Sequence, residues 1–170
     1  MGMVDNPVMT HRDPLATSGL HRSDKNSESS VPRVERAEGK FLILVVDDSA
    51  DNVALISLYL QQQGYRVVTA SNGEDAISVA QQMIPNLILM DISMPTLDGL
   101  GATRRIREHD ALHEIPVIAV TAFVTEGFQR AAYDVGVSGY LTKPIDLDRM
   151  NQLIALLLSH SGSGKLTGKS

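Results

Sequence analysis

The sequence predicts an α/β domain, a five-stranded parallel sheet with helices on both faces. Three observations predict it. Short apolar runs alternate with stretches of helical period between residues 41 and 159, and strands joined through helices run parallel. The runs are apolar throughout rather than alternating, as strands covered on both faces require. Polar residues then gather just after the runs, at the carboxyl ends where open α/β sheets form their ligand crevice.

The elements follow in order. Phe41–Val46 reads as the first strand, and Val53, Ile56 and Leu60 set a helix from Ala50 to Gln63, stopped by Gly64. Arg66–Ala70 is the second strand. Asn72 is placed to cap a helix reaching Met83, with Ala76, Ile77 and Ala80 inward and Pro85 as its stop. Leu87–Met90 is the third strand, followed by a helix from Leu97 to Glu108. Pro116 introduces the strand Val117–Val120, a weaker helix spans Glu126–Val135, and Gly139–Thr142 is the fifth strand. The last helix, Asp146–Ser159, carries the clearest apolar stripe in Leu147, Met150, Ile154 and Leu157.

Composition narrows the class. At 170 residues and 43% apolar content the chain suits one domain, and with 4% aromatics its core must be aliphatic. No cysteine is present, which removes disulfides and thiolate metal sites and fits a reducing compartment. The N-terminal region lacks an apolar signal segment, and no apolar stretch is long enough to span a bilayer, so a cytoplasmic protein without membrane contact is expected. Net charge is -5, and the first forty residues balance their acids and bases, so the acidity lies in the body. An acidic, aromatic-poor body argues against a nucleic-acid surface. Residues 1–39, rich in Ser, Asp, Asn, Pro and Arg without apolar period, read as a disordered tail, and 161–170 as a flexible one. The ending Gly164–Ser170 approaches a P-loop, but Ser163 replaces the required glycine and no helix follows.

Four strand ends carry chemistry: Asp47 and Asp48 after the first, Asp91 after the third, Thr121 after the fourth and Lys143 after the fifth. Singly, each has a plain reading. Asp47-Asp48 suits a helix N-terminus, Asp91 a turn before Pro95, Lys143 a solvated loop, and Thr121 an ordinary strand. Their joint occurrence at one edge of the sheet favours a shared site. Converging carboxylates repel and call for protons or a divalent cation, and all-oxygen ligands favour magnesium or manganese. A carboxylate beside a cation and a lysine is also equipped to take a phosphoryl group covalently. His109 and His113 have helical metal spacing but straddle an expected helix end and read as solvated loop. Asp98-Gly99 reads as a turn or helix entry without chemistry.

These residues resemble those of the response regulator receiver domain, the CheY-like fold of two-component and phosphorelay signalling. The resemblance covers residues 40–160 and rests on Asp47-Asp48, Met90–Pro95, Asp98-Gly99, Thr121-Ala122 and Lys143-Pro144, in that order. It implies a flavodoxin-like, doubly wound (βα)5 fold with strand order 2-1-3-4-5. It implies Asp91 as phosphoacceptor. Magnesium would be bound by Asp48, Asp91 and the Ser93 backbone carbonyl, with Asp47 acting through water. Lys143, the Thr121 hydroxyl and the Ala122 backbone N–H would receive the phosphoryl group, and the Lys143–Pro144 bond would be cis. The implied donor is a phosphohistidine on a sensor histidine kinase or phosphotransfer protein. The implied switch moves Thr121 and turns Tyr140 inward, altering how a downstream protein, or a weak dimer partner, meets the face of the fourth helix, fifth strand and fifth helix.

No output domain is expected after Ser159, and the blocks Ile115–Ala122 and Leu141–Ile145 look like those of stand-alone or hybrid-kinase receivers. The chain is expected to be a signalling phosphoacceptor that assists its own phosphorylation and dephosphorylation, rather than an enzyme. Two other readings compete. A haloacid-dehalogenase-type phosphatase would need an acid two residues beyond Asp91, where Ser93 stands. A phosphorylation-independent scaffold would leave the acidic site without a purpose.

Overall fold

The structure is a computed structural model that describes residues 41–122 and 124–161. Its elements are β1 (Leu42–Val46), α1 (Ala50–Gln62), β2 (Arg66–Ala70), α2 (Gly73–Met83) and β3 (Leu87–Asp91). They continue with α3 (Gly99–Arg107), β4 (Val117–Thr121), α4 (Glu126–Asp134), β5 (Gly139–Thr142) and α5 (Leu147–Ser161). The strands form one parallel sheet in the order β2-β1-β3-β4-β5, as expected. The expected tails lie outside the described residues, apart from Ser161, where α5 ends two residues beyond its expected stop.

Successive strand residues point to opposite faces, and the core divides accordingly. Ile43, Val45, Leu87, Leu89, Ile118 and Leu141 pack with Ile56 and Leu60 of α1 and with Met150, Ile154 and Leu158 of α5. Leu44, Val46, Ile88 and Met90 face the other way, onto Ala76 and Ala80 of α2 and Ala102 and Ile106 of α3. A smaller cluster joins Ile92 and Ala119 to Ala132 of α4 and Val137. The central strands β1, β3 and β4 are buried along their whole length, while the edge strand β2 exposes Arg66 and Thr69. In α5 the stripe is carried by Met150, Ile154 and Leu158, with Leu147 and Leu157 only partly buried.

Three of the boundaries that differ from the sequence expectation concern the site. The strands β3 and β4 each run one residue further, so Asp91 pairs with Val120 and Thr121 with Thr142 in the ladder. Helix α3 begins at Gly99 rather than Leu97. Thr96 has φ +72°, Leu97 N–H closes a tight turn onto the Pro95 carbonyl at 2.9 Å, and Asp98 then caps the helix through Gly101 N–H at 2.6 Å. The second helix ends on Ile84, which adopts the left-handed conformation (φ 44°) before Pro85.

Candidate functional site

The strand order puts the ends of β1, β3, β4 and β5 along one edge, and the structure brings their polar residues together there. Asp47 follows β1 directly and is 3% exposed, while Asp48, one residue on, is exposed. Ser49 caps α1, so Asp47 lies against the positive end of that helix. Its Oδ1 accepts the Ser49 backbone N–H at 2.8 Å, and the Asn52 side-chain amide donates to both of its oxygens, at 3.2 and 3.1 Å.

Asp91 closes β3 and is 1% exposed. Its Oδ1 accepts the Ser93 backbone N–H at 3.0 Å. Lys143, which follows β5, donates Nζ to Asp91 Oδ2 at 2.7 Å and to Asp47 Oδ2 at 3.0 Å. One ammonium thus pairs with two buried carboxylates, each of which would be costly to bury unpaired. Burial pulls the Lys143 pKa down, but the hydrogen bonds and charges of Asp91 and Asp47 outweigh it and hold it above the ordinary lysine value. The Lys143–Pro144 bond is cis, and Lys143 N–H donates to the Thr121 carbonyl at 2.8 Å, tying β5 to the end of β4.

Carboxylate oxygens of Asp47, Asp48 and Asp91 lie within 4.8 Å of one another. A hard divalent cation suits this set, since every donor is an oxygen and one acid is open to solvent. An open cleft of about 550 Å³ adjoins Asp47 and Asp48, walled by Val53 and Ala54 of α1, Ser71, and Asp75 of α2. Thr121, 3% exposed, sits at the next strand end, with Ala122 exposed behind it. Tyr140 is half-buried on β5, packed with the α4 cluster and edge-on to Tyr133 at 6.4 Å. His109 and His113 are both exposed in the turns after α3, and His113 Nδ1 lies 2.7 Å from the Asp110 carbonyl, an arrangement of loop residues.

Sequence reasoning missed two residues of this site. Asn52, five positions beyond Asp47, grips that carboxylate; its place in the first turn of the helix after Asp47 was the available signal. Gly99 lies against the backbone of Asp91, where an added Cβ would fall 2.2 Å from the Asp91 carbonyl oxygen. Its N–H donates to the Ile92 carbonyl at 3.2 Å, and the buried Thr103 hydroxyl donates to the Gly99 carbonyl at 2.7 Å. The start of α3 is therefore pressed onto the strand that carries Asp91.

Comparison with known proteins agrees with this arrangement. A family profile described as the response regulator receiver domain matches residues 43–155. The polar-differentiation response regulator DivK of Brucella anthropi is 36% identical over 112 residues, covering 66% of this chain and 91% of DivK. Its counterpart in Brucella ovis is 34% identical over the same shares. Among solved structures, the receiver domain of the Pseudomonas aeruginosa sensor histidine kinase PA1611, which has magnesium coordinated in its active-site cleft, is 32% identical with a TM-score of 0.65. The match covers 70% of this chain and 98% of that one. The Vibrio cholerae chemotaxis protein CheY4 is 26% identical with a TM-score of 0.67, over 69% of this chain and 98% of its own. Among the described residues no helix is long and apolar enough to cross a membrane.

Proposed function

The chain belongs to the response regulator receiver family, and we propose that it is a switch that accepts a phosphoryl group on Asp91 from a phosphohistidine. The observation that carries this reading is the Lys143 ammonium bridging Asp91 and Asp47 at 2.7 and 3.0 Å, with Asp48 alongside. Asp48, Asp91 and the Ser93 carbonyl would hold magnesium, or manganese, with Asp47 reached through water. The ion supplies charge that neutralises the oxygens of the phosphoryl group in transfer.

The chain's own residues do the rest. An Asp91 oxygen attacks phosphorus, the P–O bond forms as the P–N bond of the donor breaks, and the imidazole leaves with a proton from solvent. The product is an acyl phosphate on Asp91, which water later hydrolyses. Lys143 holds the Asp91 side chain in place beforehand through its 2.7 Å hydrogen bond to Oδ2, and then pairs with the phosphoryl oxygens. The Thr121 hydroxyl and the Ala122 N–H donate to those oxygens, so Thr121 is drawn toward Asp91. Its movement frees space beside β4, and Tyr140, half-buried and next to the α4 cluster, turns inward. The face of α4, β5 and α5 then presents a different surface to a downstream protein in the cytoplasm.

The test is transfer from a phosphorylated histidine phosphotransfer domain in magnesium. The label should move to this chain at one group per molecule, and Asp91→Asn should take none. Label on the Asp91→Asn protein at the normal rate refutes the assignment.

A further inference from the structure

Asp47 is enclosed by donors. Ser49 N–H binds Oδ1 at 2.8 Å, Lys143 Nζ binds Oδ2 at 3.0 Å, and the Asn52 amide spans both oxygens at 3.2 and 3.1 Å. These donors differ in how they respond to added positive charge. Lys143 is cationic, so it and a divalent ion compete for the same carboxylate and repel each other. Asn52 is neutral and has no such conflict.

The local sequence explains why Asn52 is available. It is the third residue of α1, behind the cap Ser49, whose hydroxyl accepts the Asn52 backbone N–H at 3.4 Å. In a capping box the side chain at this position reaches back to the N–H of the cap. Here Asp47 Oδ1 already takes that N–H, which leaves the Asn52 amide free to turn onto Asp47. The amide nitrogen faces both oxygens of one carboxylate, so a single N–H is shared between them, a three-centre contact that resists rotation of the carboxylate plane.

Building on the cation site proposed above, we propose that Asn52 is a positioning residue that clamps the Asp47 carboxylate in its orientation toward Asp48 and Asp91 when the site holds a divalent cation in place of the Lys143 charge. Partners that orient metal-binding groups typically change metal affinity 10–100-fold when removed. Because Asp47 keeps its Ser49 bond, the lower end of that range applies.

The test measures Mn²⁺ binding directly by water-proton relaxation, without phosphodonor. Asn52→Leu keeps the branched side-chain shape but removes the amide donor, and Asn52→Ala serves as a second variant should the leucine perturb folding, which thermal melts monitor. Either variant should weaken Mn²⁺ binding about tenfold. In an Asp47→Ala background the same substitution should change the affinity no further, since no carboxylate remains to be held. Wild-type affinity in the Asn52 variants overturns the clamp. So does a tenfold loss that persists without Asp47, because Asn52 would then act through the fold. If the wild-type protein itself binds no Mn²⁺, the cation site of the functional reading falls too, an outcome distinct from the other two.

Discussion

Gly99→Ala tests whether Asp91 is positioned by helix α3. The added Cβ would lie 2.2 Å from the Asp91 carbonyl oxygen, 2.9 Å from its carbonyl carbon and 2.9 Å from Ile92 Cα. That is more than about 1 Å short of an ordinary van der Waals contact. All three obstacles are backbone, so no side chain can swing away. The strand is also pinned, by pairing with β4 and by Ile92 N–H on the Val120 carbonyl at 2.9 Å. Overpacking of this kind costs about 1–3 kcal/mol or more. Against it stands a helix-propensity gain below about 1 kcal/mol at the first helical position. The net expectation is about 2–3 kcal/mol, or roughly 10 °C in Tm for a domain of this size. Circular dichroism melts measure it. At a temperature where the variant is fully folded, phosphorylation of Asp91 should also slow by about a hundredfold, the order expected for a 1 Å displacement of a reacting group. A variant that melts within about 2 °C of wild type and labels normally refutes the close approach as a determinant of the site.

Lys143→Met should cost about 3 kcal/mol in chelator, the lower end for removing one partner of a buried ion pair, since Lys143 keeps 27% side-chain exposure. Magnesium should recover part of that loss, because binding to the folded state alone raises stability; denaturant titrations with and without magnesium measure both. The Lys143 pKa is raised above 10.5 in the folded protein. Its contribution to stability is therefore complete below 10.5 and is lost as pH climbs through the folded value. Wild type should lose more stability than Lys143→Met between pH 9 and pH 12, and equal losses would contradict the bridge. Ile84→Gly should raise stability by about 1 kcal/mol, since a β-branched residue at φ 44° is strained and glycine is not; thermal melts would show it, and a lower Tm would count against strain there.

The sheet was legible because burial on both faces leaves a direct trace, runs such as Phe41–Val46 and Leu87–Met90 with no polar alternation. The strand-end acids were legible because charges beside such runs need partners. The start of α3 was misplaced because Leu97 extends the apolar period of the helix, while Thr96 breaks the backbone with a conformation its residue type does not advertise. The close approach of Gly99 to Asp91 was not legible for a different reason. No turn at Gly99 demands a glycine, and the need arises only when α3 is packed onto β3. Asn52 reads as an ordinary polar residue of a first helical turn until Asp47 is seen to occupy the N–H of the cap.

The central claim is that Asp91, held by Lys143 beside Asp47 and Asp48, is the phosphoacceptor. Intact-protein mass spectrometry after incubation with magnesium and a small-molecule phosphodonor tests it most directly. One phosphoryl group should be added, sensitive to hydroxylamine as an acyl phosphate is, and it should be missing from Asp91→Asn and from samples in chelator. A phosphoryl group of unchanged yield on Asp91→Asn would contradict the account.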